Sequence, residues 1–133
     1  MGVGVFPLAD HKALGLTGMH GHIAANMAVA HADVLVVAGS RFSDRVTGDR
    51  TRYVGQKTII QLDIDPTEFD KNIAVTLPLM GDVKTTLQKL LPMLTEKKNS
   101  EWWQQIKEWD AQEDRSLLSG VRLTAPWLME ELS

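Results

Sequence analysis

The chain has 133 residues, 44 % of them hydrophobic and 23 % charged, which fits one globular domain and leaves two crowded. Fourteen basic against seventeen acidic side chains give a formal charge of −3, so no electrostatic footprint for nucleic acid is present. The absence of cysteine excludes disulfides, thiolate metal sites and a cysteine nucleophile, and no apolar run approaches the roughly 18 residues of a membrane span.

This composition is compatible with a reducing cytoplasm, and the N-terminus lacks the basic-then-apolar layout of a signal peptide. Both ends look abrupt: residues 1–6 arrive without a complete element before them, and residues 124–133 start a helix-like pattern and stop. The expectation is a piece of a longer polypeptide.

Residues 1–21 show little periodicity, with Gly15, Gly18 and Gly21 at intervals of three. Residues 22–31 read as a helix with Ile23, Met27 and Ala30 on one face. Its alanines, Ala24, Ala25 and Ala28, suit close packing against a sheet. Glycines leading into a helix let the backbone approach an anion, aided by the exposed N–H groups of the helix start. They also suit a plain turn.

Residues 33–38 form a short β-branched run, read as a strand buried on both faces. It runs into residues 39–48, where two glycines bracket two arginines, aspartate and hydroxyls. A polar loop at the carboxyl end of a buried strand is where an open α/β sheet binds ligands. The alternative is a solvated connection whose arginines pair with nearby acids.

A second strand over 58–62 ends in Asp63, 24 residues beyond Gly39 and near the roughly 20 of the dinucleotide fingerprint. The fingerprint's second glycine is missing, since Arg41 stands there. Asp63 suits a ribose hydroxyl or a structural role equally. Asp65 reads as the cap of a short helix over 66–70, with Pro66 in its first position. A poorer strand over 75–80 carries Pro78, which favours an edge. Asp82 then caps a helix over 83–91 with an apolar stripe of Val83, Leu87, Leu90, Leu91 and Leu94, and Pro92 ends or kinks it.

Residues 95–100 read as a linker. Trp102, Trp103, Ile106 and Trp109 follow at helical spacing, which favours an amphipathic helix docked on its own protein over an exposed partner surface. Thr124 and Pro126 mark a further helix start. The alternation of strands and helices predicts an α/β fold with a parallel, doubly wound, Rossmann-like sheet that lacks its first strands.

For catalysis the residues offer little. His11, His20, His22 and His31 all precede the first strand and match no zinc spacing with an intervening acid. His31 closes a helix C-terminus, where a cation is favoured. Asp63 and Asp65 make a poor acid/base pair once one of them caps a helix. There is no phosphate-loop lysine motif and no Gly-x-Ser-x-Gly elbow. The pattern points to binding of something phosphorylated and nucleotide-like, with no catalytic or metal-ligating residue.

At this point a family resemblance emerges. Thr17-Gly18-Met19-His20-Gly21, followed by Ala24-Ala25-Asn26-Met27-Ala28, resembles the start of the central domain of acetolactate synthases. Gly39-Ser40-Arg41-Phe42-Ser43-Asp44-Arg45-Val46-Thr47-Gly48 looks like that family's G-A-R-F-D-D-R-V-T-G loop. Leu62-Asp63-Ile64-Asp65-Pro66, with Glu68, Lys71 and Asn72, is similar to its I-D-I-D-P-x-E-x-x-K-N segment, and Gly81-Asp82-Val83 to its G-D-V turn. The similarity runs from about residue 2 to residue 94.

The resemblance implies a thiamine diphosphate-dependent enzyme of three α/β domains. Such an enzyme condenses pyruvate with a second 2-keto acid and releases carbon dioxide, in branched-chain amino acid or acetoin metabolism. The first and third domains hold thiamine diphosphate and Mg2+, with the catalytic glutamate in the first, and the central domain binds FAD. It further implies a homo-oligomer in the cytoplasm and leaves room for a regulatory subunit. On this reading residues 1–95 are a partial central FAD-binding domain and residues 96–133 a helical connector towards a thiamine-binding domain, and the isolated chain turns over nothing.

Carried over position by position, the FAD contacts are Gly18, Met19, His20, Gly39, Ser40, Arg41, Arg45, Val46, Asp63, Ile64, Asp82 and Val83. Arg41 and Arg45 suit pyrophosphate oxygens through charge-assisted bonds, and Gly39 permits close backbone approach. Ser43 stands where the family has a flavin-contacting aspartate, Ser40 replaces alanine, Thr17 leucine and His22 threonine. Ser43 keeps open a nucleotide-binding or structural central domain of another thiamine diphosphate-dependent carboligase or decarboxylase, without FAD.

Overall fold

In a computed structural model of the chain, residues 4–7 and 9–113 are described. The elements run α1 (Ile23–His31), β1 (Val34–Ala38), α2 (Asp44–Thr47), α3 (Arg50–Val54), β2 (Thr58–Asp63), β3 (Leu77–Met80), α4 (Val83–Leu90) and α5 (Ser100–Asp110). Two single 3-10 turns, Pro66–Glu68 and Leu91–Met93, follow β2 and α4. The predicted helix start at Thr124 lies outside the described residues.

The three strands form one parallel sheet in the order β1-β2-β3, with Val34 opposite Thr58 and Ile60 opposite Leu77. Side chains alternate between its faces. On one face Val37 and Ile59 pack beneath Phe42, Tyr53, Val54, Ile73 and Val75. The ring of Tyr53 meets Phe42 edge-on at 6.1 Å, and burial pushes the Tyr53 phenol up from its ordinary value.

The other face corrects an expectation. β1 is not buried on both sides, because Val34 and Val36 are 52 % and 54 % exposed and Leu77, in the same row, is exposed as well. Leu62, in the same row, is buried, so this face is covered only in part. Among the described residues β3 pairs only with β2, so Pro78 sits on an edge strand, where its missing N–H costs no ladder bond.

The alanine face of α1 also finds a different partner from the one expected. Ala24 is buried with Ile106 and Trp109 of α5, and Met27, Ala28, Trp102 and Trp103 close around them. The tryptophan stripe is thus an internal seam, as its spacing predicts. Trp102 meets Trp109 edge-on at 5.7 Å, and the His31 ring lies 5.0 Å from Trp109. His31 Nδ1 also bonds the Met27 carbonyl at 2.9 Å in the last turn of α1.

Local signals account for several boundaries. Asp82 accepts from the Thr85 N–H and hydroxyl, both at 2.8 Å, and starts α4. Pro92 lies in the 3-10 turn that ends it. The apolar stripe of α4 stays open on this chain, with no residue fully buried. The ten-residue loop after β1 is shorter than expected, because Asp44–Thr47 forms one helical turn.

Candidate functional site

Because all three strands are parallel, their carboxyl ends lie along one edge. That edge carries the Gly39–Arg41 loop after β1, the Asp63–Asp65 turn after β2 and Gly81-Asp82 after β3. Two backbone bonds draw these ends together: the Gly39 N–H donates to the Leu62 carbonyl, and the Gly81 N–H to the Asp63 carbonyl, each at 2.9 Å.

The glycine loop before α1 reaches the same edge through a tight joint. The Met19 N–H donates to the Arg45 carbonyl at 2.8 Å. Gly18 lies so close that a Cβ there would sit 2.5 Å from the Arg45 carbonyl oxygen and 2.8 Å from the Val46 Cα, and its φ of +100° already favours glycine. Gly18 is held from behind by Asn26, whose Oδ1 accepts its N–H at 2.7 Å and whose Nδ2 donates to its carbonyl at 3.0 Å. Asn26 was absent from the predicted site set, although it stands inside the motif that carried the resemblance.

Gly18, Met19, Arg45 and Val46 are therefore brought together, while Gly39, Ser40, Arg41, Asp63, Ile64, Asp82 and Val83 are gathered by the strand ends. His20 follows Met19 with its ring exposed and no hydrogen bond among the described residues. The Arg41 and Arg45 guanidiniums likewise have no hydrogen bond or ion pair among the described residues. Met19, Ile64 and Met80 are 72 %, 72 % and 70 % exposed. Open cations beside open apolar side chains suit a ligand with a phosphorylated part and a flat ring.

The acids divide by role. Asp63 is 8 % exposed, and one of its carboxylate oxygens accepts the Asp65 N–H at 3.0 Å. Asp65 accepts from the Thr67 hydroxyl at 2.7 Å and its N–H at 2.9 Å. Those bonds, with smaller help from the Lys71 and Arg41 charges, hold its carboxyl below the usual range. Asp65 is a cap, as its place before Pro66 predicts. The Thr85 N–H and hydroxyl lower Asp82 in the same way. Among the described residues no cluster of three or more His, Asp or Glu could hold a metal ion.

A cleft of about 260 Å³ opens beside the joint, lined by Thr17, Asn26, Val46, Thr47, Arg52 and Tyr53 among others. A larger one of about 570 Å³ lies at the amino end of β1, between residues 32–34 and 98–102, with no predicted site residue in its lining. No helix among the described residues is long and apolar enough to cross a membrane.

Known proteins resemble the chain over most of its length. Residues 1–90 match the family model described as the thiamine pyrophosphate enzyme central domain. The chain is 38 % identical over 120 residues to the acetolactate synthase isozyme 3 large subunit of Escherichia coli, which is 85 % of this chain and 21 % of that one. It is 49 % identical over 105 residues to the probable acetolactate synthase large subunit of Methanocaldococcus jannaschii, 77 % of this chain and 18 % of that one. With the acetolactate synthase of Mycobacterium leprae it shares 37 % identity over 132 residues, 95 % of this chain and 19 % of the relative. The chain spans about a fifth of the length of these relatives. The matched span contains the Gly18 joint and all three strand ends, and the chain belongs to the family of thiamine pyrophosphate enzyme central domains.

Proposed function

We propose that this chain is the FAD-binding central part of an acetolactate synthase catalytic subunit. The supporting observation is the Met19–Arg45 joint, which unites two of the segments carried over as flavin contacts on one edge of the sheet. Arg41 and Arg45 would hold the pyrophosphate, Asp63 a ribose hydroxyl and the Asp82 turn the adenine end. Met19 and Ile64 would cover the flat parts of the ligand. When bound, FAD serves here as a held cofactor, and the carbon–carbon chemistry belongs to thiamine diphosphate and Mg2+ in the other domains of the parent.

On this reading the parent condenses pyruvate with a second 2-keto acid, with loss of carbon dioxide, in a cytoplasmic homo-oligomer. Relatives named large subunits support a separate regulatory partner. Residues 1–95 form the cofactor-binding part and residues 96–133 lead towards the thiamine-binding domain. The names of the relatives favour an acetolactate synthase over another thiamine diphosphate-dependent carboligase or decarboxylase.

The test is flavin content. Full-length protein purified from cells should show flavin absorbance, or should quench the fluorescence of added FAD. Colourless protein that leaves FAD fluorescence unchanged sinks the proposal. Acetolactate formation by the isolated chain would overturn the placement of the chemistry in other domains.

A further inference from the structure

Gln61 is a buried polar side chain that packing alone does not explain. It lies on β2 two residues after Ile59 and two before Asp63, with 0 % exposure. Its Nε2 donates to the Ser40 carbonyl at 3.1 Å and to the Glu68 carbonyl at 3.4 Å. Its Oε1 is buried with no partner among the described residues. Two carbonyl acceptors fix which way the amide faces, since only the NH2 end can serve them. A leucine of similar size would avoid the orphaned acceptor, whose burial is unfavourable. The donor end is what the site retains.

Asn72 repeats the arrangement one peptide further on, its Nδ2 donating to the Arg41 carbonyl at 2.7 Å. The described peptides are all trans, and in a trans unit the carbonyl and the following N–H point in opposite directions. Holding the Ser40 carbonyl on buried Gln61 and the Arg41 carbonyl on Asn72 therefore turns the N–H groups of Arg41 and Phe42 away from those two side chains. The Arg41 N–H has no acceptor among the described residues. The Phe42 N–H has only the Ser40 hydroxyl at 3.5 Å, the outer limit of a useful bond. Phe42 locks the bend, with a φ of +51° and a ring buried to 2 %. Successive outward N–H groups beside a left-handed residue make a concavity that binds anions.

We propose that Gln61 and Asn72 are positioning residues: their carboxamides turn the Arg41 and Phe42 N–H groups outward, so that the loop backbone grips the diphosphate of a nucleotide alongside the two arginines. This rests on the cofactor reading above and adds that the loop backbone shares the grip on the diphosphate, and what aims it. Sequence pattern alone gives neither amide a role, although Asn72 stands in a segment that carries the resemblance.

The test uses full-length protein carrying Gln61→Leu or Asn72→Ala, with Gln61→His as a variant that keeps a ring N–H to donate. FAD and ADP affinities are measured, together with the melting point without ligand and hydrogen exchange at the Arg41 amide. Expected is a roughly tenfold weakening for both ligands in the first two variants, the scale of one charge-assisted bond, with the ligand-free melting point little changed. In the wild type either ligand should slow exchange at the Arg41 amide; Gln61→Leu should abolish that protection and Gln61→His restore part of it. Unchanged affinities overturn the proposal, as does an Arg41 amide indifferent to ligand. A weakening that tracks a lower melting point and is not rescued by histidine also overturns it, as a merely structural role. If the wild type binds ADP but not FAD, the flavin reading fails while the ADP series still decides the positioning role; binding of neither overturns both.

Discussion

Gly18 and Arg45 approach so closely that a single added carbon at Gly18 would lie 2.5 Å from the Arg45 carbonyl oxygen. That contact joins the glycine loop before α1 to the turn α2, and backbone fills both sides of it. Neither side can give way as a flexible side chain would.

Gly18→Ala should therefore cost at least about 2 kcal/mol, combining the clash with the strain of a side chain at positive φ, and should weaken FAD binding with it. Gly39→Ala provides the contrast. Its φ is +62°, but nothing lies within 4 Å of an added Cβ, so only backbone strain of about 1 kcal/mol remains. Denaturant unfolding of the two variants should rank them in that order.

Asn26→Ala removes both side-chain bonds to Gly18. The Gly18 carbonyl keeps the Gly21 N–H, but the Gly18 N–H is left unmet, which should destabilise by about 1–3 kcal/mol. Asn26→Asp keeps the acceptor and loses the donor, so it should fall between wild type and alanine. Unfolding midpoints check the order; an alanine variant as stable as wild type would refute the clasp.

Asp65 and Asp82 contribute to the acid limb of stability. Both carboxyls are held low in the folded chain by hydrogen bonds, from Thr67 and Thr85 respectively. A depressed folded pKa means that the unfolded chain binds more protons in acid, so stability there rises with pH. The contribution is fully present above the unfolded value of about 4 and is lost as pH falls through the folded one. Unfolding midpoints should be level from neutral pH down to about 5 and fall below about 4. Asp82→Asn, which keeps a cap acceptor without the charge, should flatten part of that fall.

The α1–α5 seam can be tested through Trp109, 7 % exposed between Ala24, Ile106 and the His31 ring. Trp109→Ala should cost about 3–5 kcal/mol, the usual loss for a large buried aromatic. In the wild type, its fluorescence should resist acrylamide. Ready quenching would mean that the tryptophan face is open and available to a partner instead.

Much of the architecture was legible because its causes are local. Asp82 and Asp65 each cap a helical turn with a threonine two or three residues on, and Trp102, Ile106 and Trp109 repeat at the helical period. The covering of β1 was misjudged for a nonlocal reason. A run of valines states that a strand is apolar, but whether Val34 and Val36 are buried depends on what crosses that face.

The sequence by itself determined the α/β order, the caps and the loops whose residue types suit a phosphorylated ligand, since each is set by neighbours within a few positions. Only the tertiary structure decided that α1 rests on α5, that Asn26 grips Gly18, and that Gln61 and Asn72 reach Ser40 and Arg41 across 21 and 31 residues. Those bonds depend on the parallel register that sets the ends of β1 and β2 side by side. Pairing at that distance is fixed by how the strands align, which no local pattern encodes.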